Sequence, residues 1–510
     1  MKLSIFLIVF VSILGQIDAF VGRRLWQYRQ QVEEVRRKQV DSQLQLLYKH
    51  KGYKQSPVKT YYLKQPLDHF NALSKELGKT YKQRYYVNAE YWFGPKSPVF
   101  LYIGGEGTLS SRAVEAGEIV DLAKKHNALI VGAEHRFYGA SLNDDGLQLE
   151  ELQHLSSQQA LADLATFVNH IQKEYGIPDS TPWVSFGGSY PGALSAWFRL
   201  KYPHLVVAAV ASSAPVQAVT NFEGYNEVVA ASFKSDLVGG SQECLDMIKK
   251  GFQTIDSMIA DGKYDQLRTD FKSCNMLSMI PDQVLFVSNL AGYFMGVAQY
   301  NNEIPGQNIS HVCKVMLSTS DPYQNLITLN QESLDQAHEP CMDNCFMNYT
   351  SSFANTTVDK NAFGPGIRQW TYQTCSQFGY YQTCDVDTTC PFSHLMDLEN
   401  SDIQMCRDVF KIDTSDVDVN VQFSNDYYGG NHTQQSKIIF VNGSIDPWHK
   451  LSILTNQTTV GSYSVFIPGT AHCADLSPQH DTDTVELKNA RQEIASLVGQ
   501  FLEEAYTKKF

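Results

Sequence analysis

Apolar runs of strand length recur along two parts of the chain. They fall at residues 99–103, 128–133, 183–186, 206–211, 437–441 and 464–467, with almost no polar interruption. Between and after them, apolar positions recur with the helical period at 112–126, 157–175, 193–200 and 484–505. A strand with no polar face is buried on both sides, the habit of a parallel sheet with helices on each face. The predicted class is therefore α/β. Residues 85–92 and 99–103 read as adjacent strands near its start. The rhythm stops after Pro215 and resumes at 437, with helical patches such as 244–259 and 283–300 in between. An insertion interrupting a sheet domain accounts for this: 61–215 and 431–510 form the sheet domain, and 216–430 the insertion.

The N-terminus adds two segments. Lys2, an apolar run over 3–14 and Ala19 give residues 1–19 the form of a secretory signal peptide. The run is shorter than the roughly 20 residues a membrane span requires. Residues 20–60 are basic and polar, with a helix predicted over about 25–47; they read as a solvated extension, or else a propeptide.

At 510 residues with 43% hydrophobic and 12% aromatic content, the chain can bury a large core. Its net charge of −13 argues against nucleic acid as a partner. Nine of the ten cysteines lie between Cys244 and Cys406, and the tenth is Cys473. Their spacing forms no regular zinc pattern, so disulfides are expected. Glycosylation sequons stand at Asn308, Asn348, Asn355, Asn431, Asn442 and Asn456. Together these features predict passage through the secretory pathway, to the lysosome or the exterior. Expected partners are peptide substrates and a second copy of the chain in a homodimer; no cofactor, metal or membrane span is expected in the mature chain.

The chemistry centres on Gly187-Gly188-Ser189-Tyr190-Pro191-Gly192. A β-prone run enters a Gly-rich turn, and an amphipathic segment leaves it, the layout of a nucleophile elbow with Ser189 at its tip. Alone the motif is weak, and Pro191 occupies its second glycine position. A serine hydroxyl needs a base in contact and a carboxylate to orient that base. In an α/β-hydrolase they follow in the order serine, acid, histidine, on loops at the ends of later strands. Asp446 follows the strand at 437–441, and His472 follows the strand at 464–467. Asp475 competes for the acid role and His480 for the base. The oxyanion donors should be the backbone amides of Tyr190 and of Gly105 or Glu106, in the glycine-rich loop after strand 99–103. Should the compartment be acidic, His472 must stay partly neutral below the ordinary imidazole value of about 6.5, and activity should fall with acid.

With these residues in place, the chain resembles the serine peptidase family of lysosomal Pro-Xaa carboxypeptidase, dipeptidyl peptidase II and thymus-specific serine protease. The resemblance rests on 65–71, 104–107, Glu134-His135-Arg136-Phe137-Tyr138-Gly139, the elbow, Ser212-Ser213-Ala214-Pro215, Trp370-Thr371-Tyr372-Gln373-Thr374-Cys375, 426–430, 442–448 and Ala471-His472. Pro191-Gly192 is most similar to the thymus-specific branch. The resemblance implies an α/β-hydrolase fold with a helical, disulfide-linked cap, the triad Ser189, Asp446 and His472, and exopeptidase action, often after proline. Two positions depart from it. Ser376-Gln377 replaces the family's Thr-Glu, which puts a carboxylate for reading a charged substrate end in doubt, and Cys473 stands where a second histidine is common. An acyl hydrolase of the esterase or lipase kind shares the triad chemistry, and a non-catalytic binding protein could use the same fold. The lack of a long apolar lid argues against the first, and the intact triad against the second.

Overall fold

The structure is a computed structural model that describes residues 22–52, 56, 58–71, 78–359, 366–399, 402–432 and 434–507. The signal segment 1–19 lies outside the described residues. Eight strands form one sheet: β1 (Lys59–Pro66), β2 (Thr80–Asn88), β3 (Val99–Ile103), β4 (Leu129–Ala133), β5 (Trp183–Gly188), β6 (Ala208–Ser212), and two more after the insertion. Within the insertion, β7 (Val219–Asn221) and β8 (Gly379–Tyr381) make a small parallel pair; β9 (Ile438–Gly443) and β10 (Tyr463–Ile467) then complete the large sheet. Its order is β1-β2-β4-β3-β5-β6-β9-β10. Only β1–β2 and β2–β4 pair antiparallel; from β4 to β10 every pairing is parallel. This is an α/β-hydrolase sheet. The expected adjacency of the strands at 85–92 and 99–103 is wrong, because β4 lies between β2 and β3. Sequence neighbours part here because a parallel neighbour requires a crossover, which leaves β4 free to pair on either side.

Six helices matter for the site: α1 (Gly22–Lys51), α2 (Glu118–His126), α3 (Ser157–Tyr175), α4 (Tyr190–Lys201), α5 (Ile280–Gln299) and α6 (Val485–Thr507). Alternate strand residues explain the unbroken apolar runs. Leu101, Val131 and Phe440 pack in one core with Phe167 of α3 and Leu194 of α4. Their neighbours Phe100, Ile130 and Val441 pack in the other, with Val120 of α2 and Ile494 of α6. The helix predicted over 112–126 is instead a 3-10 turn (Ser111–Val114) followed by α2. Gly117 separates them with φ of 97°, and a Cβ there would lie 2.5 Å from the Leu476 carbonyl oxygen.

Between β6 and β9 the chain forms the helical cap, held by the disulfides Cys244–Cys313, Cys274–Cys341, Cys375–Cys406 and Cys384–Cys390. Cys345 and Cys473 are free thiols. The N-terminal extension is not the solvated helix expected from its charge. α1 runs along α5, with Trp26, Tyr28 and Val32 buried. The Tyr28 ring stands 6.2 Å from Tyr293 and 6.4 Å from Tyr300, measured between centroids. A Cβ at Gly296 would come within 2.7 Å of the Tyr28 ring, so the helices approach this closely only because residue 296 is glycine. No helix among the described residues is long and apolar enough to cross a membrane.

Candidate active site

Three loops at the ends of parallel strands converge. β5 runs into Ser189, whose φ of 65° and ψ of −133° place a non-glycine residue in a sparsely populated region, at a cost of order 1–3 kcal/mol. The Ser189 amide donates to the Ser212 carbonyl at 2.9 Å, which anchors the turn to β6. The glycines of the motif can be read as clearances. A Cβ at Gly187 would sit 2.1 Å from the Pro191 carbonyl oxygen, one at Gly192 2.6 Å from the Ser212 oxygen, and one at Gly105 2.2 Å from the Pro191 ring. Close packing of helix on strand therefore falls to Gly192, and Pro191 is tolerated because it opens α4, where its missing N–H has no partner to lose.

Asp446 follows β9 and is fully buried. Its Oδ1 accepts from His472 Nδ1 at 2.9 Å and from the Trp448 amide at 3.1 Å. With Nδ1–H committed to the carboxylate, the imidazole keeps Nε2 as its basic nitrogen. Burial opposes charging the ring, but the adjacent Asp446 carboxylate and the Cys473 sulfur together outweigh it, and the pKa of His472 is raised well above the ordinary value. Ser189 and His472 line one cavity of about 360 Å³, together with the 104–109 loop and part of α1. Asp475 does not bond the imidazole. Its carboxylate accepts from the Ser212 hydroxyl, and burial raises its pKa to about 6. His480 does not line the cavity.

The amide of Tyr190 opens α4, where no upstream carbonyl serves it, and the Gly105-Glu106 stretch stands against Pro191. Gly105 and Glu106 line the same cavity as Ser189. Glu134 holds this loop: its carboxylate accepts from the Leu109 amide at 3.0 Å, from the Ser141 hydroxyl at 2.7 Å and from Arg84.

A profile of the family described as serine carboxypeptidase S28 matches residues 65–494. The chain belongs to the S28 family. It is 38% identical over 452 residues to the thymus-specific serine protease of Mus musculus, covering 87% of each chain. The Homo sapiens protein of the same name is 37% identical over 442 residues, covering 85% of this chain and 84% of that one. Lysosomal Pro-X carboxypeptidase of Bos taurus is 27% identical over 466 residues, covering 88% of both. As an S28 member the chain is a serine-type peptidase, a hydrolase of peptide substrates, and its four disulfides fit folding in the secretory pathway.

Several motifs of this S28 chain that had no assigned task meet behind the elbow. His135 Nδ1 lies 2.7 Å from the Arg136 carbonyl, so that nitrogen carries the hydrogen and Nε2 accepts from the Tyr190 hydroxyl at 2.9 Å. Burial pushes the His135 pKa down to about 4, which keeps the ring neutral. Gln373 Nε2 donates to the Tyr190 oxygen at 3.0 Å, and Tyr138 donates to Gln373 Oε1 at 2.5 Å. The cap thus reaches the residue beside Ser189 through one buried relay. A second tie runs through α5: the Gln299 carbonyl accepts from the His472 amide at 3.0 Å, and its side chain accepts from Trp448 and Tyr225. Nothing in the sequence around Gln299 announces this. The departure at Gln377 has a structural role: its Oε1 accepts from the Ser157 amide at 2.9 Å, at the start of α3. Residue 377 lines neither cavity at Ser189.

Of the sequons, Asn348, Asn355, Asn431 and Asn456 are exposed and Asn308 is half-buried, whereas Asn442 is wholly buried in β9.

Proposed function

We propose that the chain is an exopeptidase acting near proline through an acyl-enzyme, with Ser189 as nucleophile, His472 as base and Asp446 as orienting carboxylate. The observation that carries this reading is the 2.9 Å bond from His472 to the buried Asp446 beside a strained Ser189 in one cavity. In this reaction His472 takes the Ser189 proton as the hydroxyl attacks the substrate carbonyl. The amides of Tyr190 and of Gly105 or Glu106 receive the developing oxyanion. The imidazolium gives its proton to the departing amine, and water then repeats the cycle on the ester.

Proline preference is supported by a second, small cavity of about 60 Å³ that Ser189 also lines, walled mainly by Trp26, Tyr190, Trp370, Tyr380, Tyr381 and Trp448, with Arg29 and Glu106 at its edge shared with the large cavity. Flat aromatic walls around so small a volume favour a compact ring over a long side chain. We assign N-linked glycans to Asn308, Asn348, Asn355, Asn431 and Asn456. We assign the chain to the secretory pathway, with the lysosome or the exterior as its destination. Mass spectrometry of the products from a set of proline-containing peptides tests the function, with Ser189→Ala as control and an ester assayed alongside. Cleavage next to proline near a chain end is expected; turnover of the ester alone would refute a peptidase.

A further inference from the structure

Away from Ser189, α1 meets the cap across a small cavity of about 10 Å³, whose lining includes Arg24, Gln27, Tyr28, Tyr293 and Glu339. Arg24 and Tyr28 come from α1, and Tyr293 comes from α5. Arg24 is 6% exposed, and the two tyrosines are 3% exposed each. Yet Arg24 Nη2 and the hydroxyls of Tyr28 and Tyr293 have no hydrogen-bond partner among the described residues. Buried polar groups are almost always bonded, so three such groups on one cavity point to a shared ligand. Each has a hydrogen to give. The guanidinium is a donor only, and burial raises the pKa of both phenols, which keeps their protons in place.

Charge narrows the choice of ligand. Glu339 lines the same cavity, but its Oε1 accepts from Gln27 Nε2 at 2.7 Å. It acts on Arg24 as a charge without a hydrogen bond, and burial outweighs it, so the guanidinium pKa falls to about 10. A buried cation is costly unless a counter-charge answers it, which a water cannot do. Size narrows it further. A cavity of about 10 Å³ has room for one particle of about the size of a water and none for phosphate, sulfate or a carboxylate.

We propose that this cavity is a binding site for one monatomic anion, chloride in the compartments and fluids of the secretory route, held by Arg24, Tyr28 and Tyr293. The ion joins two residues of the N-terminal helix to one of the cap. It adds to the bonds of 2.6 and 3.0 Å by which Arg36 of the same helix meets Glu303. Trp26 and Arg29 of α1 line cavities at Ser189, so the ion seats part of that wall from a distance. The inference is independent of the peptidase reading, since it concerns where α1 sits and not what Ser189 does.

The test uses the full chain. Crystals soaked in sodium bromide report the site by anomalous scattering, and a bromide peak is expected within hydrogen-bonding distance of Arg24 Nη2 and both hydroxyls. In solution, trypsin reaches the exposed Lys38 in the middle of α1 only when the helix opens. Chloride at about ten times its Kd should slow that cut about tenfold against gluconate at equal ionic strength, because the helix releases the ion before it opens. Arg24→Gln should abolish the chloride effect. Tyr293→Phe, which keeps the ring and removes one donor, should raise the chloride concentration required by about fivefold or more. The wild-type measurements decide even where a variant fails to fold. Absence of bromide from the cavity would overturn the proposal, and so would equal cutting in chloride and gluconate; in either case a water bridges the three groups. A chloride effect that persists in Arg24→Gln would also overturn it, by placing the ion elsewhere.

Discussion

Strands β3 to β6 and β9 pair directly with one another and are apolar on both faces, while the cap from β7 to residue 428 is a set of helices joined by disulfides. Both deliver residues to Ser189. The sheet does so by ending strands at Ser189, Asp446 and near His472; the cap does so by single side chains, Gln299, Gln373 and Trp370, reaching in from outside. The difference teaches where chemistry and selectivity reside. Strand ends fix the candidate reacting groups relative to one another, and the cap helices together with α1 supply walls of the two cavities that Ser189 lines.

Two buried carboxylates on the sheet side give the sharpest way to break this account. Asp446 bonds the imidazole and Asp475, three residues past His472, bonds Ser212 instead. Asp446→Asn should lower kcat by about 10⁴-fold, the loss known when a triad acid is replaced and the base adopts the wrong tautomer. Asp475→Asn should change kcat by less than about tenfold in the same assay. Equal losses would mean that the acid has been misassigned.

The pH dependence sharpens the contrast next. Only neutral His472 can act as base, and its pKa is raised, so kcat/KM should fall about tenfold per unit of acid below a midpoint that lies above about 6.5. A profile flat from mild acid to neutrality would contradict this.

Cap and sheet also differ in what removing a crosslink costs. Cys244–Cys313 closes 69 residues and Cys384–Cys390 only 6. By loop-closure entropy the first should contribute about 4 kcal/mol and the second about 2 kcal/mol, measurable as unfolding midpoints of the paired Cys→Ala variants. Loss of the first should unfold the cap while leaving the secondary structure of the sheet detectable by circular dichroism.

The smallest expected effect lies beneath the site. Burial raises Glu118 to about 8 and Asp475 to about 6, and both sit near Arg491. The folded state holds these protons more tightly than the unfolded chain, so their contribution is complete below about pH 4 and is lost as pH rises through the folded values. Tm should therefore drop by several degrees from mild acid to pH 8, and Glu118→Gln should flatten that slope in a thermal scan. The framework thus favours acid while the base favours its absence.

What was legible in the sequence follows the same division. Strands buried on both faces announce themselves as apolar runs, and placing Asp446 and His472 at the ends of two of them needed only chain order. β1 passed unnoticed, because an edge strand with alternating exposure carries Lys59, Lys64 and Gln65 among its aromatics. Strand adjacency is a three-dimensional property, and no local pattern puts β4 between β2 and β3. The helix at the N-terminus was visible, but its place was not. Its arginines look solvated until paired with Glu106, 77 residues away, and with Glu303, 267 residues away.

The central claim is that Ser189 is a nucleophile activated by His472. Labelling with a fluorophosphonate, followed by peptide mapping in the mass spectrometer, tests it most directly. The adduct should appear on the peptide containing Ser189, vanish in Ser189→Ala and form at least about 10³-fold more slowly in His472→Ala. An adduct on another residue, or an unchanged rate without the imidazole, would contradict it.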